Sequence, residues 1–557
     1  MEIIMKNSAL FLIGTMTVTS LLNAATLKER NPEVYNYDVL FTNPTCAVHE
    51  YPTPLKTQNG RTVKYTKENV FCSGSDRDIT ASRDGSDTRM GKNESPQHRL
   101  LKLINDKATK EIFMTYLSFS DSAVADALCE RMQKGMKLEL ILDKKNEQGS
   151  IDRSLSRYIN GRLTDENRDE ALANREKAIE EASNEVIRLS KIENRTNRQD
   201  EKLKDARKDL DRMLTKSEFL GSVLCSSNGT RVDQNYTLKR MEKQRGINWS
   251  HTKIFMVNPN DPEKVTLAFS SANMSSGTTI HHENWHFVTA ATKSHFVQMH
   301  MCLREAEFNH ANSRKEFINF IAKCRKSIKL AEEDDIKTYI VPGEGEKAIE
   351  MIEGAIRWSK NVDLAAHRFT LKPLVNALSK ARKDDTNIRM VFDDDIYLAG
   401  ERLLPLDDRT KKPMRVPNMG FEYNNIKKVL GKNDATLEKD SGEARYMTTN
   451  HFAFTIHHNK YLILDNARKD ANKPEMFNKP AVFCGAGNFT KAAFSTSGSA
   501  TNLENYYYIT IPEVVEAFKK QYDYKWNDLA TAYEDMIVPD RDMTVSDVKP
   551  DRVDSEE

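Results

Sequence analysis

Two short stretches carry residue types suited to phosphoryl transfer. The first reads His251-Thr252-Lys253, continues through an apolar run to Asn258, and is followed by Ser270-Ser271-Ala272-Asn273 and Glu283-Asn284. The second reads His458-Asn459-Lys460, continues through an apolar run to Asp465, and is followed by Gly485-Ala486-Gly487-Asn488 and Glu504-Asn505. Residues two apart on a strand face the same way, so each His would stand beside its Lys. A neutral imidazole can attack phosphorus, and a protonated one can give its proton to a leaving alkoxide. Lys253 and Lys460 would neutralise the non-bridging oxygens, and Asn273 and Asn488 would donate hydrogen bonds to them. Ser271 could add a hydroxyl that Ala486 cannot. Gly485 and Gly487 are further candidate substrate contacts, and Asp465 joins the candidate catalytic set. Glu283 and Glu504 could accept the distal N–H of each His and fix its tautomer. One stretch supplies one His, so this chemistry needs both stretches to face each other.

The duplicated order H-x-K-x4-D, G-S-x-N, E-N resembles the phospholipase D superfamily. The first copy departs from it at Asn258, where the family has Asp, and the second at Ala486, where the family has Ser. The resemblance implies an α/β fold of two lobes, each a mixed β-sheet flanked by helices, related by a pseudo-twofold axis with the site between them. It implies a phosphohistidine intermediate, with His251 as nucleophile and His458 as acid, and no metal or cofactor, because two lysines take its place. The activity expected is hydrolysis of a phospholipid head-group phosphodiester by a secreted bacterial phospholipase D-like protein. The alternatives are a secreted endonuclease and a weak pseudoenzyme that binds partners. The expected partner is a phospholipid or membrane surface, with nucleic acid as alternative substrate; the chain is expected to be a monomer with no obligate protein partner.

Competing readings sit nearby. His281, His282 and His286 with Glu283 could form a metal cluster, but a strand with alternating exposed histidines is the simpler expectation. His457 points away from His458 on a strand and is expected to be structural. Tyr506-Tyr507-Tyr508 reads as a core strand.

The chain has 557 residues, with 83 basic and 82 acidic, a formal charge of +1. Its length allows two or three domains, and its charge argues against a non-specific nucleic-acid binder. Residues 1–25 read as a signal peptide, with Lys6 ahead of an apolar run over 9–22 and Asn23-Ala24-Ala25 at its end. This places the protein outside the cytosol, secreted or periplasmic. Seven cysteines leave at least one thiol unpaired within the chain. Cys46–Cys72 is the bridge expected, with Cys484 a buried free thiol. Asn273-Met274-Ser275 and Asn488-Phe489-Thr490 are glycosylation sequons at candidate site residues, which suits a bacterial host.

The elements that must position these residues repeat. Residues 114–143 align without gaps on 364–393, so Phe119 meets Phe369 and Asp143 meets Asp393. Each block reads strand, helix, strand, giving lobes at 35–325 and 335–537. The first opens with a strand over 39–44 and a polar excursion to about Glu94, expected to be surface loop. Its second helix, 121–134, would be capped by Ser120. The first lobe also carries extra residues, 164–216, whose apolar positions (Leu172, Ile179, Ala182, Val186, Leu189, then Leu203, Ala206, Leu210, Met213) predict an antiparallel helical hairpin. Helices are expected over 296–311 and 514–533, and residues 538–557 as a disordered tail.

Overall fold

The computed structural model describes residues 36–44, 47–48, 55–63, 70–71, 79–82, 95–119, 121–143, 181–192, 195–215, 236–241, 246–275, 281–328, 335–407, 410–415, 420–431, 444–447, 456–494 and 501–538. The expected signal peptide over 1–25, the start of the 164–216 insertion, the tail past Val538 and the expected Cys46–Cys72 bridge lie outside them.

Two mixed sheets form the two lobes. The first runs Ile79–Ser82, Asn36–Pro44, Glu283–Ala291, Lys264–Ser270, Ile254–Val257, Glu111–Tyr116, Lys137–Asp143, Tyr236–Met241. The second repeats the order as Thr501–Ile509, Ala481–Gly485, Lys460–Leu464, Asn361–Ala366, Asn387–Asp393, Ala444–Met447. Ile336–Val341 pairs antiparallel with Thr501–Ile509, as Asn36–Pro44 does with Glu283–Ala291. Glu111–Tyr116, Ser122–Gln133 and Lys137–Asp143 recur 250 residues later as Asn361–Ala366, Lys372–Lys383 and Asn387–Asp393. In both copies the two strands are parallel, as a helical crossover requires.

The motif strands are apolar on both faces because both faces are covered. Ile254 and Met256 enter a core shared by the two lobes, while Phe255 and Val257 enter the outer layer of the first. Tyr461 and Ile463 likewise face the shared core, and Leu462 and Leu464 the outer layer of the second lobe. His295–Asn309 and Pro512–Tyr524 supply Phe296, Leu303, Val514 and Phe518 to the shared core. Pro96–Asn105 and Ser122–Gln133 cover the first sheet outside, and Gly345–Trp358 and Lys372–Lys383 the second. The layers run helix, sheet, helix, sheet, helix.

Several local expectations are corrected. The excursion before Glu94 is not all loop: Leu55–Thr57 pairs with Thr62–Val63 and Ile537–Val538, and Ile79–Ser82 extends the first sheet. Asp121, not Ser120, caps Ser122–Gln133, its side chain accepting from Val124 N–H at 3.1 Å. The helix begun at Pro512 stops at Tyr524, passes through a π-turn at Lys525–Leu529 and gives way to strand Ala530–Ala532. A further helix, Arg314–Ser327, packs on His295–Asn309 through a Cys302–Cys324 disulfide. Within the insertion, residues 181–190 and Asn197–Thr215 are helical, and Leu189 and Leu203 are buried. Arg195 closes the end of the first helix by donating to the carbonyls of Leu189, Ser190 and Ile192.

Candidate active site

The site forms where each lobe's His stretch lies against the other lobe's Glu strand. Ile247–Ser250 runs parallel to Thr501–Ile509, and His251 N–H donates to Leu503 carbonyl at 2.9 Å. On the other side His282 pairs with His457, and His458 N–H donates to His282 carbonyl at 3.1 Å. This backbone contact delivers each carboxylate to the opposite lobe's imidazole. His251 Nδ1 donates to Glu504 Oε2 at 2.7 Å, and His458 Nδ1 donates to Glu283 Oε1 at 2.7 Å. The carboxylates therefore act across the lobes. With Nδ1–H committed, the lone pair of each neutral ring sits on Nε2.

Both lysines turn back beside their own histidines. Lys253 Nζ lies 3.2 Å from His251 Nε2 and donates to His251 carbonyl at 3.1 Å, and Lys460 Nζ donates to His458 carbonyl. All four groups are buried. Burial lowers the His251 pKa; Glu504 opposes the shift and Lys253 adds to it. Burial, then Lys460, Lys253, His281 and His251, drive His458 well below the ordinary imidazole value. Lys253 is pushed down to about 8 by burial against the pull of Glu504 and Glu283, and burial takes Lys460 well below the ordinary lysine value. A bound phosphate anion would offset these penalties.

The remaining candidates fall into groups. Ser271 does not face substrate with a free hydroxyl: it donates to Glu283 Oε2 at 2.5 Å and accepts from Asn284 N–H at 3.0 Å. Asp465 is a correction, because it lies five residues past Lys460, roughly 16 Å along the strand, and accepts from Lys360 and Asn361 N–H at 2.8 and 3.0 Å. Asn258 holds the matching place, accepting from Lys110 and Glu111 N–H at 2.8 and 3.1 Å. The departure from Asp therefore leaves the anchor intact. Gly487 makes room for the carboxylate strand, since a Cβ there would lie 1.9 Å from Tyr506 Oη and 2.9 Å from Glu504 Oε2; one on Gly485 would lie 2.3 Å from Asn505 carbonyl. Asn273 and Asn488 occupy matching places three residues past Lys264–Ser270 and Ala481–Gly485, each with its carboxamide oxygen buried and without a hydrogen-bond partner among the described residues.

The histidines beside Glu283 do not alternate in and out as exposed side chains. His282 and His286 are both buried, the first against His457 and the second against Tyr37 and Cys484. Among the described residues no three His, Cys, Asp or Glu side chains converge as metal ligands. Tyr506, Tyr507 and Tyr508 are buried, and Cys484 is a buried free thiol.

Residue types alone did not reveal the supports behind the site. Asp143 accepts from Ser250 N–H and Asp393 from His457 N–H, both at 2.6 Å, so each fixes the residue just before a site histidine. Their equivalence was the available signal, since the aligned blocks end on both. Asn505 accepts from Lys253 N–H at 3.1 Å, and Asn284 donates to Asn459 at 3.0 Å.

Residues 349–526 match the family model described as cardiolipin synthase, PLD-like domain. No curated protein sequence matches the chain. Among solved structures, a phosphatidylserine synthase from Haemophilus influenzae Rd KW20 is 12% identical with a TM-score of 0.43, over 78% of this chain and 85% of that one. A polyphosphate kinase from Porphyromonas gingivalis is 11% identical with a TM-score of 0.38 over 78% of this chain, which spans about half (47%) of the kinase. A phospholipase D family member from Salmonella typhimurium is 21% identical with a TM-score of 0.23, over 36% of this chain and 97% of that one. These scores are too low to carry an argument. Residues 349–526, which contain the second His-Lys stretch, are similar to a PLD-like domain of the cardiolipin synthase type.

Proposed function

We propose that the protein is a phosphodiesterase that hydrolyses the head-group bond of a phospholipid through a phosphohistidine. The observation that carries this reading is the reciprocal clamp, in which each imidazole is held at Nδ1 by the other lobe's glutamate and left with Nε2 for phosphorus. His251 Nε2 attacks phosphorus as the bond to the leaving oxygen breaks. His458 Nε2–H gives its proton to that oxygen, and the alcohol departs. Water then attacks the phosphorus of the phosphoramidate while His458 takes its proton, and the P–N bond breaks to release a phosphomonoester and restore His251. Lys253 and Lys460 balance the charge on the non-bridging oxygens, with Asn273 and Asn488 as their donors.

The assignment of His251 as nucleophile follows the family resemblance. Burial lowers both imidazoles, so the shifts do not choose between the two assignments. A setting outside the cytosol is supported by the apolar run over 9–22 and by the Cys302–Cys324 disulfide. Among the described residues no helix is long and apolar enough to cross a membrane.

Purified protein is incubated in EDTA with phospholipid vesicles and, separately, with plasmid DNA. The reading predicts phosphatidate and free head-group alcohol from the vesicles and intact plasmid. Nicked plasmid with untouched lipid would replace it with the nuclease reading, and loss of turnover in EDTA that zinc or magnesium restores would overturn the lysine-based chemistry.

A further inference from the structure

Beside each crossed glutamate, the next residue of the same strand also reaches the other lobe. Asn505 follows Glu504, and Asn284 follows Glu283. Asn505 Oδ1 accepts from Lys253 N–H at 3.1 Å, whereas Asn284 Nδ2 donates to Asn459 Oδ1 at 3.0 Å. The two amides therefore present opposite ends to the His-Lys stretches. The residue two places further on differs in the same sense: it is Tyr507 after Asn505 and His286 after Asn284.

Each set of hydrogen bonds can be followed to a backbone group that fixes its direction. A backbone N–H only donates, so the oxygen of Asn505 faces Lys253 and its Nδ2 donates to Tyr507 Oη at 3.0 Å. Tyr507 Oη lies 2.7 Å from His300 Nε2, and His300 Nδ1 lies 2.7 Å from the Phe296 carbonyl. A carbonyl only accepts, so His300 carries its proton on Nδ1, and its Nε2 accepts from the tyrosine O–H. In the other half, Asn459 Nδ2 donates to the His282 carbonyl at 2.7 Å, which leaves its oxygen for Asn284 Nδ2. Asn284 Oδ1 then faces His286 Nε2 at 3.2 Å, so His286 carries its proton on Nε2, and its Nδ1 accepts from Tyr37 O–H at 2.8 Å. Asn284, His286, His300, Asn505 and Tyr507 are all buried. Burial holds His300 down to about 4 and His286 down to about 3, so both rings are neutral near pH 7.

We propose that Tyr507 and His300 are positioning residues for Lys253, setting the Asn505 amide that holds the backbone of the first His-Lys stretch. The proposal rests on the phosphodiesterase reading and adds to it two residues that act through Asn505. Without the Tyr507 hydroxyl, Asn505 Nδ2 is a buried donor with no acceptor, and nothing on that side keeps the amide oxygen toward Lys253. Turned over, the amide would set one donor against another at Lys253 N–H. Lys253 Nζ donates to the His251 carbonyl and lies 3.2 Å from His251 Nε2, so slack in this backbone moves ammonium and imidazole together. Hydrogen bonds linked in this way act as one unit, and breaking either link should cost nearly what breaking both does.

The variants Y507F and H300F test this while keeping aromatic rings where His300 stacks on Tyr507 and Tyr507 on Phe269. Y508F is the control: the Tyr508 hydroxyl also accepts from a side-chain amide, Asn466 at 3.0 Å, but the ring packs in the outer layer of the second lobe. Turnover of a nitrophenyl diester and calorimetric binding of inorganic phosphate are measured for the wild type, both single variants, their double and Y508F. Histidine-labelled full-length protein gives the His300 tautomer by 15N NMR, with its signals assigned by their loss in H300F. His300 is expected to be neutral with its proton on Nδ1, and its Nε2 signal to shift in Y507F and not in Y508F. In Y507F both kcat/KM and phosphate affinity are expected to fall roughly tenfold, the effect of one buried donor left unmet. The double variant is expected within about twofold of Y507F, and Y508F within about twofold of the wild type. A His300 protonated on Nε2, losses that multiply in the double variant, an equal loss in Y508F, or single variants that match the wild type would each overturn the positioning role. Should Y507F not fold, H300F and the wild-type tautomer decide. If diesters are hydrolysed and Y507F matches the wild type, the positioning role fails and the phosphodiesterase stands. If no diester is hydrolysed while phosphate binding follows the expected pattern, the positioning role stands and the functional reading fails.

Discussion

Lys253 shows how burial sets a working range. Its ammonium is held down to about 8 by desolvation, although Glu504 and Glu283 both favour the charge. The charged form exists below that value and is lost above it. If the charge balances phosphoryl oxygens, kcat/KM should fall about tenfold per pH unit above pH 8, while kcat, which reports the complex, should hold to higher pH because bound phosphate stabilises the ammonium. A kcat/KM profile flat to pH 10 would remove Lys253 from the chemistry. The types and spacing of the His, Lys and Glu residues were legible in the sequence, because same-face placement on a strand follows from a period of two. What each reaches across the lobes was not. Asp143 supports Ser250 from 107 residues away and Asp393 supports His457 from 64, contacts that only tertiary structure creates. Ser271 misled for the opposite reason: a hydroxyl in a site motif is as useful to a neighbouring carboxylate as to a substrate, and Glu283 takes it.

At the scale of elements, the repeat was the strongest signal. Strand, helix and strand recur at one offset, and the bridges Phe119 to Met274 and Phe369 to Phe489 fall at matching places in the two halves. The strands inside the early polar excursion carried too few residues to show a period: Leu55–Thr57 and Thr62–Val63 are three and two residues long. The His295–Asn309 and Arg314–Ser327 pair was legible only in part, since seven cysteines permit many pairings and spacing does not choose among them. The bridge encloses a separation of 22 residues, so its loss should cost about 3 kcal/mol by loop-closure entropy. The Cys302→Ala/Cys324→Ala variant should unfold at lower denaturant, with a slope no smaller than the wild type's because its unfolded chain is less constrained. A wild type whose midpoint does not move on thiol reduction would contradict this.

At the scale of the whole molecule, the shared core and the crossed carboxylates make the two lobes one unit around the candidate site. Glu504 serves the first lobe's histidine and Glu283 the second's, so neither lobe holds a complete site. The 164–216 insertion stands outside this symmetry: Leu189 and Leu203 are buried in it, and the described residues of the second half hold no counterpart. Replacing it with a short Gly/Ser linker should leave turnover of a small soluble diester within about twofold, since distant independent sites add nearly without coupling. Turnover of vesicles is compared in the same preparation, where a selective drop would mark the insertion as a lipid contact. Loss of small-diester turnover in a variant that still folds would show that the insertion completes the site.

The central claim is that both halves build one centre through which the phosphoryl group passes covalently. Acid-sparing quench during turnover, followed by peptide mass spectrometry, tests it directly. The account predicts a phosphoramidate on His251, accumulating in His458→Ala with an activated nitrophenyl diester because the leaving group then needs no proton, and absent in His251→Ala. A phosphoryl group on His458 instead would reverse the two roles, and an enzyme that turns over with neither histidine ever modified would contradict the account.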